Sequence, residues 1–344
     1  YRQGLRLALR SIYQPSSKER VEVVCCTCSA AGSGSIIGLA FPFCLIDEAA
    51  QATEPETLIP ICRGVQQCVL VGDHSQLRPT VTCRAASKAG LELSMFERLV
   101  VRGHPYSMLK VQYRMHPAIA AFPSQQFYDG ELDDGVTAEE RASPVAFPWP
   151  VLTAPILFLH VEGVESTPAG GLSCINRSEA DAVASVVERL LSGGAAASDI
   201  GVATPYAAQS RLLREVIKRP QVSIASTESF QGQEREFMIV SFVRTRRIGF
   251  VDDARRVNVA LTRARRGLVV VGNALFLRKS RLLDKMISHF QEKGTLRTGN
   301  LGSLVPVSLP ALDDSSQQIV QRLSSFLVRV GSTGKRAEGA PPPS

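Results

Sequence analysis

The run Phe43-Cys44-Leu45-Ile46-Asp47-Glu48-Ala49 decides how this chain is read. Four apolar residues follow one another without the in-and-out alternation of a half-solvated strand, so they fit a strand covered on both faces. The run then ends in two adjacent acids. In open α/β sheets ligands bind beyond the carboxyl ends of the strands. An acid at that place can hold Mg²⁺ on a nucleotide, and its neighbour can orient and deprotonate water. The plain alternative is that Asp47 and Glu48 open a solvated loop, and the rest of the chain has to decide.

Outward from this run, short apolar stretches alternate with helical periodicity. Val21–Cys26, Cys68–Val71, Ile156–Val161, Ile200–Thr204, Val222–Ala225, Phe237–Val243 and Leu268–Val271 read as strands. Gly4–Tyr13, Thr53–Ile61, Leu93–Val101, Pro117–Phe122, Arg177–Leu191, Ala207–Lys218, Ala254–Ala264 and Arg281–Glu292 read as helices, with Ala180, Val183, Val187 and Leu190 forming one apolar face. Such alternation predicts an α/β fold with parallel sheets and helices on both faces. Two series divided near 103–108 predict two lobes, 1–105 and 106–300. Residues 301–344 are expected to be a largely disordered tail with one amphipathic helix over Ile319–Val330.

The chain has 344 residues, 44% of them hydrophobic, 21% charged, and a net charge of +7. That supports two cores and argues against an acidic or basic disordered tail. The basic balance suits a polyanionic partner and equally suits an ordinary surface. No apolar run approaches a membrane span and no secretory signal pattern opens the sequence, so the expected partners include no membrane. The eight cysteines form no spaced framework. Cys44 and Cys68 sit in apolar runs, which favours a reducing compartment. Cys25 and Cys28 form one C-x-x-C, but a zinc site needs four ligands and no second pair completes it.

Four further stretches carry polar chemistry at strand ends. Leu70-Val71-Gly72-Asp73-His74-Ser75-Gln76-Leu77 is a buried strand running into Gln76, an amide suited to touching both a γ-phosphate and an attacking water. In Val111-Gln112-Tyr113-Arg114-Met115-His116-Pro117, Arg114 is a candidate arginine finger and Tyr113 a stacking face, against ordinary ion pairing and core packing. Ala225-Ser226-Thr227-Glu228-Ser229-Phe230-Gln231-Gly232-Gln233-Glu234 places Gly232 in a turn and Glu234 where it can accept ribose hydroxyls. In Arg255-Arg256-Val257-Asn258-Val259-Ala260-Leu261-Thr262-Arg263-Ala264-Arg265, the arginines at 256, 263 and 265 lie off the apolar stripe. They are expected to form a solvated or nucleic-acid-facing surface, with at least one reaching a nucleotide phosphate.

No one stretch is decisive, but their order is. From Val21 to Gly294 the chain resembles the superfamily 1 helicases, nearest those of the up-frameshift type that act in nonsense-mediated decay. Ile46 to Glu56 resembles the second nucleotide motif, Val71 to Leu77 motif III, Val111 to Pro117 motif IV, Ser229 to Glu234 motif V and Val259 to Arg265 motif VI. Linking stretches such as Ser94-Met95-Phe96-Glu97-Arg98-Leu99-Val100 share the likeness.

The resemblance implies two RecA-like lobes closing on ATP–Mg²⁺, the first incomplete at its N-terminus. It implies that Asp47 holds Mg²⁺, Glu48 is the catalytic base, and Gln76 senses the γ-phosphate. Tyr113 would stack near adenine, Glu234 with Gly232 would meet the ribose side, and Arg114 and Arg263 would be arginine fingers. Thr27, Thr204, Pro205 and Thr227 would lie near nucleic acid. The implied function is a 5′ to 3′ translocase on single-stranded RNA, cytoplasmic and monomeric, with mRNA decay factors as partners. The alternatives are a DNA helicase of the same superfamily and a non-catalytic nucleic-acid-binding fragment. The last has one support: the phosphate loop G-x-x-x-x-G-K-[ST] occurs nowhere in the chain. It is expected to precede Tyr1, and the fragment alone is expected to be nearly inactive.

Overall fold

The computed structural model describes residues 23–34, 36, 40–168, 171 and 173–310. The expected helices at Gly4–Tyr13 and Ile319–Val330 lie outside the described residues. The chain divides into two units, Tyr1–Val111 with Ala254–Val259, and Gln112–Asp253 with Ala260–Ser344.

In unit 1, β1 (Phe43–Ile46) and β2 (Gln67–Leu70) pair in parallel, with Cys44 opposite Cys68 and Ile46 opposite Leu70. Between them runs α1 (Glu54–Ile61). Its start is written in the sequence as a capping box: Thr53 Oγ1 accepts from the Glu56 amide, and Glu56 Oε2 accepts from the Thr53 amide at 2.9 Å. Downstream, α2 (Met95–Val101) is capped by Ser94 Oγ, which accepts from the Glu97 amide at 3.1 Å. The described part of the expected strand Val21–Cys26 is not a strand. Residues 23–27 form no regular element.

Short β3 (Val111–Gln112) leads into unit 2, followed by α3 (Pro117–Phe127) and β4 (Asp133–Asp134). The main sheet contains β5 (Ile156–His160), β6 (Ile200–Ala203), β7 (Ser223–Ala225), β8 (Arg235–Ser241), β9 (Ala264–Gly272), β10 (Leu296–Thr298) and β11 (Val305–Pro306). Their spatial order is β11-β10-β5-β9-β8-β6-β7. Each neighbouring pair in this sheet is parallel except β10 with β11.

Three helices follow the parallel logic of this sheet: α4 (Arg177–Ser192), α5 (Ala207–Ile217) and α7 (Arg281–Glu292). Every residue of β5 is buried, as expected of an apolar run without alternation. β1 and β2, read by the same rule as covered strands, differ, for Phe43, Leu45 and Val69 are exposed. One core gathers Leu157, Leu159, Val183, Leu190, Val202, Leu213, Ile239 and Val271.

Two differences from the sequence reading concern boundaries. The helix α6 spans Ala254–Leu261 and stops there, and β9 already begins at Ala264. The region from 301 to 310, expected to belong to a disordered tail, is described and contains β11.

Candidate functional site

Unit 1 carries the acids and the amide that the sequence singled out on the exits of two neighbouring strands. At the end of β1, Glu48 is left-handed (φ 52°), uncommon for a residue other than glycine. Asp47 Oδ1 accepts from the Glu48 amide at 2.9 Å, and Glu48 Oε2 accepts from Gln51 Nε2 at 2.6 Å. The two strand exits run side by side. The Val71 amide donates to the Ile46 carbonyl at 2.9 Å, and the Ala49 amide donates to the Val71 carbonyl at 2.8 Å.

Gly72 makes this approach possible. A Cβ there would sit 2.9 Å from the Ala50 nitrogen and 3.2 Å from that of Ala49. Just beyond, Asp73 organises the loop. Its Oδ1 accepts from the Ser75 amide at 2.9 Å and its Oδ2 from Gln76 Nε2 at 2.7 Å. Asp47 and Glu48 are exposed and Gln76 is half-buried.

Behind this loop lies a buried carboxylate that the sequence reading did not single out. Glu97 takes two hydrogen bonds from Arg78, at 2.8 and 2.5 Å, and one from Arg255 at 2.7 Å. Burial pushes its pKa up, and the two guanidinium groups more than offset this, leaving it below the usual carboxylate range. Arg255 Nε also donates to the His74 carbonyl at 3.0 Å, and Asn258 Nδ2 to the Ser75 carbonyl at 3.0 Å.

In unit 2, Arg114 Nε donates to Glu234 Oε2 at 2.7 Å and its Nη1 to the Thr262 carbonyl at 3.2 Å. The bond from Arg114 holds the Glu234 carboxyl below its ordinary range. The loop bearing Arg114 is fixed from two sides. Gln112 Oε1 accepts from the Arg114 and Met115 amides at 3.0 and 2.8 Å. Arg141 donates to the carbonyls of Tyr113 and Arg114 at 2.7 and 2.9 Å. Tyr113 itself is 65% exposed, a ring open to stacking. Gly232, at φ 71°, makes the turn that delivers Glu234.

The arginines near 263 are not the expected solvated face. Arg263 is only 2% exposed, and its Nη2 donates to Thr262 Oγ1 at 2.9 Å. Its carbonyl accepts from the Arg235 amide at 3.0 Å, placing it where α6 has ended and β9 begins. Arg265 and Arg266 pair with Glu236 at 2.9 and 2.6 Å.

The nucleic-acid candidates are scattered. Thr27 is exposed, and its Oγ1 accepts from the Ala30 amide at 3.1 Å. Thr204 and Thr227 are buried at the carboxyl ends of β6 and β7, and Pro205 is half-buried. Thr204 Oγ1 has no hydrogen-bond partner among the described residues. Among those residues no group of three or more His, Cys, Asp or Glu could hold a metal ion, and no helix is long and apolar enough to cross a membrane.

Two family models, both described as AAA domain, match residues 8–84 and 91–275. The regulator of nonsense transcripts 1 homolog of Drosophila melanogaster is 42% identical over 298 residues, 83% of this chain and 25% of that protein. The ATP-dependent helicase NAM7 of Saccharomyces cerevisiae is 43% identical over 298 residues, 83% of this chain and 31% of that protein. The chain thus spans between a quarter and a third of these relatives. A solved arterivirus nonstructural protein 10 helicase is 15% identical, covering 79% of this chain and 51% of that one, with a TM-score of 0.36.

Proposed function

We propose, from the premise that this chain belongs to the AAA domain family over residues 91–275, that it carries much of an ATP-driven helicase core. The reading is a 5′ to 3′ translocase on single-stranded RNA, serving nonsense-mediated decay in the cytoplasm with mRNA decay factors as partners. What supports it most is the pair of adjoining strand exits in unit 1 at the approach that Gly72 permits, one followed by Asp47 and Glu48 and the other leading to Gln76. The curated relatives are named as ATP-dependent helicases and as regulators of nonsense transcripts.

The residues fit the group they would hold. Mg²⁺ keeps most of its waters and takes one or two carboxylates plus phosphate oxygens. A single exposed acid at a strand end suits it, where a closed cage of three or more ligands would not. When bound, Mg²⁺–ATP supplies the phosphoryl group whose transfer releases energy. Asp47 would contribute the carboxylate to the metal. Glu48, exposed at its left-handed turn, would orient a water and accept its proton. Gln76, held by Asp73, would present its amide to the γ-phosphate.

Arg114 and Arg263 would stabilise charge on a transferring phosphoryl group. Tyr113 would stack on the base, and Glu234 after the Gly232 turn would accept from ribose hydroxyls. Thr27, Thr204, Pro205 and Thr227 would border the nucleic acid, the two buried threonines through neighbouring backbone.

Arg114→Ala in the full-length protein tests the reading. Loss of an arginine finger is expected to lower ATP turnover by about 10³-fold or more. The melting temperature should hold, because a half-exposed pair with Glu234 contributes little. Unchanged turnover rejects the role. Comparing stimulation of turnover by oligouridylate and oligothymidylate separates an RNA helicase from a DNA helicase.

A further inference from the structure

We infer that the loop from Val243 to Asp253 is a contact site for single-stranded nucleic acid, in which Phe250 stacks on a base and Arg246 and Arg247 meet phosphates. The inference rests on the helicase reading and adds to it a site outside its motifs.

The loop leaves the carboxyl end of β8, the side on which parallel sheets take ligands, and two buried carboxylates hold it. Glu179, fully buried on α4, accepts from Ser241 Oγ at 2.7 Å and from the Val243 amide at 2.8 Å. Glu165 Oε2 accepts from the Thr245 and Arg246 amides at 2.6 and 3.2 Å, and pairs with Arg244 at 3.1 Å. Arg244 in turn donates to the Arg247 carbonyl at 2.5 Å and to the Tyr206 hydroxyl at 3.3 Å.

This framework forces Val243 to φ 71°, an outlier for a β-branched residue. Such strain persists only where surrounding structure over-determines it, and it gathers at functional sites. Burying carboxylates is also unfavourable unless each is fully hydrogen-bonded. So the loop's shape is fixed at an energetic cost.

What it displays is basic and flat. Arg246 and Arg247 are exposed. Phe250 is 43% exposed, and its ring packs at a tilt of 40° against the buried Tyr206 ring, 4.9 Å between centroids. Gly249, at φ 64°, lies over the Tyr206 hydroxyl and the Arg244 guanidinium. Asp252, half-buried, and Asp253, exposed, follow at the far end. Exposed cations beside a propped aromatic ring are what unpaired bases on a phosphate backbone require. The same strand ends carry Pro205 and Thr204, whose buried hydroxyl lacks a partner among the described residues.

The test measures binding of fluorescein-labelled oligouridylate and oligothymidylate to the full-length protein by anisotropy across a salt series. Phe250→Leu keeps apolar packing on Tyr206 and removes the stacking ring. Its affinity is expected to fall roughly fivefold to a hundredfold, whereas Phe250→Trp should retain binding. The double variant Arg246→Ala/Arg247→Ala, on exposed side chains that do not hold the fold, should flatten the slope of log affinity against log salt by about 0.7 for each lost contact. If the parent protein binds and both Phe250→Leu and the arginine variant bind equally well with an unchanged slope, the inference is overturned and the helicase reading stands. If the parent binds neither probe, both fall.

Discussion

Gly72 has no side chain because the Ala50 backbone occupies the place where one would go. Gly72→Ala is therefore expected to destabilise the protein by about 1–3 kcal/mol. Because the atoms it meets are backbone nitrogens at the Glu48 turn, it should also disturb the acids that turn presents. Chemical denaturation of the variant, with wild-type stability as the refuting result, checks this.

Strand exits of this kind are legible in the sequence. An apolar run that stops at Asp47 or Asp73 marks a strand exit from sequence alone. Glu97, Arg141 and Arg255 were not, since each acts on partners far along the chain, as Arg255 does on Glu97. Nothing near them in the sequence distinguishes them from surface charges. The arginines at 263 and 265 differ from the solvated face that helical spacing predicts. Their acceptors, Thr262 beside one and Glu236 on neighbouring β8 for the other, go with their burial, and helical spacing does not reveal them.

At the scale of elements, starts are better written than ends. The capping box at Thr53 announces α1 through side chains only three residues apart. Thr53→Ala removes the cap and the hydroxyl's bond to Glu56 Oε2, leaving the backbone bond in place, and is expected to cost about 1 kcal/mol. A Thr53→Ser variant that melts with wild type while Thr53→Ala melts lower would confirm that the hydroxyl is responsible.

The early start of β9 was hidden because Arg265 and Arg266 interrupt its apolar run. Those charges are tolerated in a central strand because Glu236 on neighbouring β8 meets both, at 2.9 and 2.6 Å. A cross-strand partner is a property of register, and register is not visible until the strands are paired.

At the scale of the whole molecule, the parallel α/β character was readable because buried strands and amphipathic helices alternate through unit 2. Strand order was not, and it governs the stability that Glu179 senses. Burial raises this carboxyl from an ordinary 4.5 to about 7, against hydrogen bonds from the Val243 amide and Ser241 that lower it. Asn176 Nδ2 faces its other oxygen at 3.3 Å, and Glu165 adds a repulsive charge.

The folded protein therefore keeps a proton that the unfolded chain releases. This contribution is fully present below the unfolded value and is lost as pH rises through about 7. Thermal melting of wild type and Glu179→Gln from about pH 5 to pH 8 should show wild type losing ground to the variant as pH increases. Parallel curves would reject a titrating Glu179.

The central strand β5 has a consequence for the newborn chain. Its neighbours are β9 and β10, both roughly a hundred residues or more downstream. During synthesis, Ile156–His160 leaves the ribosome as an uninterrupted greasy segment with nothing to pair with. At ordinary elongation speeds its partners arrive on the order of ten seconds later. For that interval the nascent polypeptide depends on chaperones or on low crowding to escape aggregation. Arresting translation before β9 emerges should yield a protease-sensitive, chaperone-bound product, and release past β10 should abolish both properties.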